Sequence, residues 1–224
     1  DSEDYIHTRE VVLRLVATHQ NKSALIVLSR EIAQAATGMA PGVMNYLGGR
    51  PSISSSVKLF SFLLSKDYFD VSVNIDEDKT PVPIINGPQT QIYTGADHAV
   101  LGKNLNERLD KETKLINLAY VRSGDKGDHA NIGVIARKPD FLRYIKHSLT
   151  IERLQNHFSH VLNGSIHCWE VPGINGLNFL LENSLGGGGM ASLNIDPQGK
   201  AYAQQIIDFK IAVPEFIYNE VHKK

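Results

Sequence analysis

The 224-residue sequence lacks the features that would place it in a specialised class. Its single cysteine, Cys168, leaves no internal disulfide to staple the fold, and a reducing compartment is the natural home for such a chain. It has almost no net charge: 23 Lys and Arg against 24 Asp and Glu give −1. The two signs are interspersed, so there is no basic tail or stripe for nucleic acid and no polybasic cluster for anionic lipid. No run of about 18 apolar residues suits a membrane span, and no charged-then-apolar leader stands at the front. These absences lead to the expectation of a cytoplasmic protein with neither nucleic acid nor membrane as a partner. What is present is ordinary: 42% hydrophobic and 21% charged residues, in a length that holds one large domain or two small ones.

Two well-patterned blocks flank a poorly patterned one. After the acidic opening Asp1-Ser2-Glu3-Asp4, the run Val11–Val16 reads as a strand buried on both faces. Residues 1–10 offer it no neighbour, which suggests the end of something longer or a sheet completed by a partner. A helix is expected from Lys22 to Thr37, with Leu25, Leu28, Ile32 and Ala35 on one face and Gly38 as its stop. Val57–Leu64 and Phe69–Ile75 read as two strands of a hairpin through Ser65-Lys66-Asp67. Residues 76–112, with Pro81, Pro83 and Pro88, read as an extended linker, since proline removes backbone donors and fixes φ. The expected domains are therefore residues 1–75, a linker at 76–112, a second domain at 113–214 and a tail at 215–224.

In the second domain Leu115–Val121 reads as a strand, followed by a glycine-rich turn over Ser123–Asn131 and a returning strand at Ile132–Arg137. Helices are expected at 139–148, 150–162 and 197–208. Pro139 and Pro197 suit first helical positions, and Asp196 suits an N-cap. Strands near 166–171, 177–182, 191–195 and 210–213 complete the set. Strands and helices mixed in this order, with several hairpins, make an α+β fold: a mainly antiparallel sheet with helices packed on one face.

The candidate site residues lie in two glycine-rich stretches. In the first, Gly124 and Gly127 permit backbone N–H groups to converge on an anion, with Ser123, Asp125, Asp128 and Asn131 beside them and Arg122 and Lys126 as countercharges. Asp125, Asp128 and His129 are weaker candidates for a divalent metal. The same composition also suits a plain hairpin turn. The second stretch, Gly186-Gly187-Gly188-Gly189, offers bare backbone to a phosphate, or simply a mobile tip. It has neither a P-loop lysine nor dinucleotide spacing. If the two stretches lie at the same end of one sheet, they form a single anion-binding pocket. Arg50, on the turn Gly48-Gly49-Arg50-Pro51, reads as an exposed side chain. His157, His160 and His167 read as solvated imidazoles. Ser123 and His129 lack the elbow of a hydrolase nucleophile.

Four stretches together carry a resemblance: Leu118 to Gly133, Leu177-Asn178-Phe179, Leu185 to Leu193, and Asp196-Pro197-Gln198-Gly199-Lys200. In order and spacing they resemble the C-terminal, ferredoxin-like domain of the acyclic-terpene-utilisation (AtuA) family. Ser29-Arg30-Glu31-Ile32-Ala33 with Gly42 and Gly48–Pro51 is similar, more loosely, to the end of that family's large N-terminal domain. The resemblance implies a role in breaking down branched acyclic terpenoids or acids through acyl-CoA intermediates. On that basis this would be the C-terminal part of a protein acting on a carboxylate or acyl-CoA and, if an enzyme, a hydratase or lyase. No cofactor is expected; CoA enters only as a substrate handle. The expected macromolecular partners are the missing N-terminal portion or another subunit, in a homo-oligomer. The alternative is a non-catalytic binding or assembly module within a larger complex.

Overall fold

A computed structural model describes residues 8–44, 49–84 and 98–223. Asp1–Asp4, Gly48 and Pro88 lie outside the described residues. The chain divides into two compact units, residues 1–57 and residues 58–224.

The first unit is built on α1 (Lys22–Gly38). Asn21 caps it by accepting the Ser23 N–H at 2.8 Å, and Ser29 Oγ donates to the Pro51 carbonyl at 2.8 Å. The run Val11–Val16 differs from expectation. It forms no strand, and Val12 is 84% exposed. An apolar run becomes a strand only beside a backbone with free donors and acceptors, and the described residues bring none to it.

The run Val57–Leu64, from the last residue of the first unit into the second, also forms no strand, and Phe60 and Phe62 are exposed. The hairpin lies one step further along than expected: β1 (Ser72–Ile75) pairs antiparallel with β2 (Asp78–Pro81). Asp76 makes the turn with φ of 53°, and Pro81 sits at the end of a two-stranded ribbon, where a missing donor costs little. The linker expected over 76–112 is also shorter than the sequence implies. From His98 onward the chain packs on the following domain, with Ala99, Leu101, Leu105 and Leu109 against its core.

That domain holds a four-stranded antiparallel sheet in the order β4-β5-β7-β6, made of β4 (Ala119–Lys126), β5 (His129–Ala136), β6 (Ile166–Val171) and β7 (Gly176–Leu181). A separate pair, β3 (Lys111–Lys114) with β8 (Lys210–Val213), joins the two ends of the domain. Period-2 alternation assigns the faces. Ile132, Val134, Leu177, Phe179, Leu181, Ile166 and Cys168 are buried under the helices, of which α3 (Leu142–Ser148) and α5 (Tyr202–Ile206) pack against β5 and α4 (Ile151–His157) against β6. The opposite face, bearing Tyr120, Arg122, Asn131, Ile135, Asn178 and Trp169, carries no helix among the described residues. The fold is α+β as expected.

Four local expectations are corrected. Leu115–Leu118 is one helical turn, α2, because Leu115 and Leu118, three apart, are both fully buried on one side. Ala191–Ile195 forms turns rather than a strand. The last predicted core helix shortens to α5, because Asp196 accepts the N–H groups of Lys200 and Ala201 (3.0 and 2.7 Å) and folds the first residues into a turn. The expected tail is a helix, α6 (Glu215–His222), with Ile217 buried.

Candidate functional site

Ser123–Asn131 is not a loop. β4 and β5 run through it in continuous register, from Ala119↔Ala136 to Lys126↔His129, and leave only Gly127 and Asp128 as the turn. Gly127 takes φ of 71°, which a glycine supplies without strain. The tetraglycine folds back onto this tip. The Asp128 carbonyl accepts the N–H groups of Ser184 and Leu185 at 3.0 and 3.2 Å, and its carboxylate accepts the Gly187 N–H at 2.7 Å. A Cβ on Gly188 would stand 3.0 Å from the Gly127 carbonyl oxygen, and φ there is +85°. Only glycine admits that approach.

The two stretches therefore meet at one end of the sheet. But the expected anion pocket is closed from within, because the Asp128 carboxylate takes a glycine N–H that an anion would need. The metal candidates are engaged in the same way. His129 Nδ1 accepts the Asn183 N–H at 2.9 Å, and Asp125 pairs with Lys200 at 3.8 Å. Among the described residues no group of three or more His, Cys, Asp or Glu is placed to hold a metal ion. Lys126 donates to the Asp125 carbonyl at 3.0 Å.

Ser123 works on the helix side. Its hydroxyl accepts the Ala203 N–H at 2.9 Å and donates to the Lys200 carbonyl at 3.2 Å, tying β4 to the segment before α5. Alternation then turns Gly124 to the open face. A Cβ there would stand 3.0 Å from Lys200 Nζ, so the Lys200 side chain passes round the edge strand β4 and ends above Gly124. Lys200 was absent from the sequence candidates; its place within the Asp196–Lys200 motif was the available signal.

Apart from Asp125, whose carboxylate lies 3.8 Å from that ammonium, the open face beside it has little side-chain cover among the described residues. Register sets Arg122 opposite Gly133 and Gly124 opposite Asn131, so two glycines alternate with a guanidinium and an amide. A Cβ on Gly133 would meet only the Arg122 carbonyl, at 3.8 Å. Arg122 is exposed and has no hydrogen-bond or ion-pair partner among the described residues. Asn131 Nδ2 donates to Asn178 Oδ1 at 3.2 Å on the neighbouring strand β7. The arrangement is a flat floor with cations at one edge and amides beside them, suited to holding an anion by charge-assisted hydrogen bonds. It uses Arg122, Gly124 and Asn131 from the sequence candidates, and leaves Gly127, Asp128 and Gly186–Gly189 as the scaffold that fixes the tip.

Elsewhere the titratable groups serve packing. Burial pushes the Cys168 thiol up to about 12, which leaves it inert as a nucleophile. Burial likewise raises Tyr202 to about 12, and its hydroxyl donates to the Ser184 carbonyl at 2.7 Å behind the glycine stretch. An open hollow of about 630 Å³ beside the β1–β2 ribbon, lined by Phe69, Val71, Pro81 and Ile84 among others, holds none of the candidate residues. Among the described residues no helix is long and apolar enough to cross a membrane.

Residues 113–212 match the family model described as the AtuA ferredoxin-like domain. No curated protein and no solved structure matches the chain.

Proposed function

Since residues 113–212 form an AtuA-family ferredoxin-like domain, we propose that the chain is the C-terminal part of a protein of branched-acid or acyclic-terpenoid breakdown, and that this domain receives the anionic end of a carboxylate or acyl-CoA substrate on its open sheet face. The observation that supports the reading is the Gly124–Gly133 floor, with Lys200 Nζ above it and an unpaired Arg122 guanidinium beside it. A guanidinium presents a planar fork matched to carboxylate or phosphate, and bare glycine lets the ligand approach the strands. The hydration or dehydration step itself is assigned to no residue of this domain.

Differential scanning fluorimetry against a panel of acyl-CoAs and free branched carboxylates tests the reading, because a ligand of the native state raises its melting temperature by mass action. Arg122→Ala and Lys200→Ala are each expected to weaken binding by about 1.5–3 kcal/mol, roughly ten- to a hundred-fold in Kd. Gly133→Val is expected to obstruct the floor. Folded variants with undiminished affinity, or a panel in which nothing binds, would remove the proposal. Tyr120, 60% exposed, and Ile135, 38% exposed, on the same face favour a second reading, an assembly surface. Under that reading Tyr120→Glu lowers the oligomeric mass in sedimentation while the panel stays inert.

A further inference from the structure

The open face carries a second chemistry at its far edge. His98 joins the sheet beyond β6 through an antiparallel bridge to Trp169, held by the Ala99 N–H donating to the Cys168 carbonyl at 2.9 Å. The His98 and Trp169 rings lie 5.5 Å apart with planes 27° apart. His167, two residues along β6, lies 5.8 Å from Trp169 at 23° and 5.6 Å from His98 at 31°. Glu182 approaches His167 Nε2 at 3.4 Å. Three flat rings thus form one platform of nearly parallel planes.

Register then runs straight across the sheet from this platform to the cationic edge. His98, Trp169, Asn178, Gly133 and Arg122 are successive partners on successive strands. Trp169 and Arg122 stand three strand spacings apart, about 14 Å. Between them the bonded amide pair leaves Asn131 Oδ1 as an unused acceptor and Asn178 Nδ2 as an unused donor among the described residues. Cross-strand ring pairs stabilise a sheet without any ligand. Stabilisation alone, however, accounts for neither the unused amide groups nor the unpaired guanidinium in line with the rings.

We propose that this row binds a nucleotide lengthwise. Its heteroaromatic ring packs on the Trp169, His98 and His167 platform, its hydrogen-bonding edge meets Asn178 and Asn131, and its phosphate reaches Arg122 and Lys200. The inference rests on the anion reading above for its cationic end and deepens it, because the nucleotide handle of CoA has this chemistry. A free adenine nucleotide is the other source.

Trp169 is the only tryptophan in the chain, so its emission reports directly on the platform. The full chain is titrated with adenosine 3′,5′-bisphosphate, AMP, CoA and a free branched carboxylate, with adenine absorbance corrected against free tryptophan. Saturable quenching by the adenine compounds and none by the carboxylate is expected. Tighter binding of CoA and the bisphosphate than of AMP identifies CoA as the source; equal binding identifies a free nucleotide. Arg122→Ala and Asn178→Leu are each expected to raise the apparent Kd ten-fold or more, with far-UV circular dichroism unchanged. Absence of saturable quenching at millimolar nucleotide, or quenching indifferent to both substitutions, overturns the inference. A carboxylate that raises the melting temperature in an Arg122-dependent way, while no nucleotide disturbs Trp169, overturns it and leaves the anion site standing.

Discussion

Asp128 holds three backbone donors on two of its own oxygens, a carbonyl that takes Ser184 and Leu185 and a carboxylate that takes Gly187. Asp128→Ala removes only the second and leaves the Gly187 N–H without its acceptor. The expected loss is about 1–3 kcal/mol, read as a lower urea midpoint with an unchanged slope, and Asp128→Asn is expected to recover most of it. His157 gives a pH-dependent counterpart. Its ring stands edge-on to Phe158 and Phe209, each at 4.9 Å, and Nε2 is buried with no partner at hydrogen-bonding geometry. Burial first, then neighbouring His160, lowers its proton affinity, against a smaller opposing effect of Gln205. The unfolded chain then binds more protons than the native one just below the ordinary histidine pKa of about 6.5. Stability is complete above that pH and falls as the pH drops towards the lowered native value. Thermal melts between pH 7 and 5.5 should therefore decline, and His157→Phe should flatten the decline. At this scale the sequence revealed which residues are unusual but not what they do. Asp128 is visible as a carboxylate among glycines, whereas its occupation of the Gly187 N–H depends on a contact 59 residues away.

Among the elements, those with their own start signals were legible and those defined by neighbours were not. α1 lies within a residue of its expected bounds, because Asn21 and the apolar repeat act locally. The 3₁₀ turn Pro139–Phe141 and α3 follow Pro139 in the same way. Val11–Val16 and Val57–Leu64 have the composition of strands but no ladder among the described residues, since a strand is a property of a pair. α6 went unread because it spans only eight residues and follows directly on β8 through Pro214. Its apolar side is nevertheless in the core: Ile217 is 3% exposed, and Tyr218 and Val221 pack beside it. His222 Nε2 lies 3.0 Å from Thr113 Oγ1 in β3, which also accepts from Asn117 at 2.9 Å. Ile217→Ala is expected to cost about 2–4 kcal/mol, read by thermal or chemical denaturation. A change below about 0.5 kcal/mol, the range of ordinary surface substitutions, would mean that α6 is an appendage.

On the scale of the whole molecule, the four stretches that carry the family resemblance converge, although they are spread over 83 positions from Leu118 to Lys200. Leu118–Gly133 supplies β4, the tip and the start of β5, and Leu185–Leu193 closes on the tip. Asp196–Lys200 sends Lys200 round the edge strand, and Asn178 meets Asn131 on the open face. That the motifs belong to one domain was legible; their division between a closed scaffold and an open floor was not, because it follows from which face each strand residue takes. Backbone pairing is uneven across the chain. Amide exchange is expected to be slowest at Ile132, Val134, Phe179 and Leu181 in the two central strands and fast over residues 8–20 and 51–64, which have no ladder. Protection of those two stretches comparable to the central strands would show that a second copy or partner covers them.

The β3–β8 pair joins Lys111 to Val213, so the domain is fastened by its first and last strands. Such a contact sets an order of events during synthesis. A chain still on the ribosome can form the β4–β5 hairpin as soon as both strands emerge, because that pairing is local. β3 must wait for about a hundred more residues, and closing so long a loop is slow relative to local pairing. Until β8 is made, the apolar sides of Leu115 and Leu118 have an unfinished lid. A nascent form stalled before Lys210 therefore exposes part of its core, and it is in that interval that a chaperone would find something to hold.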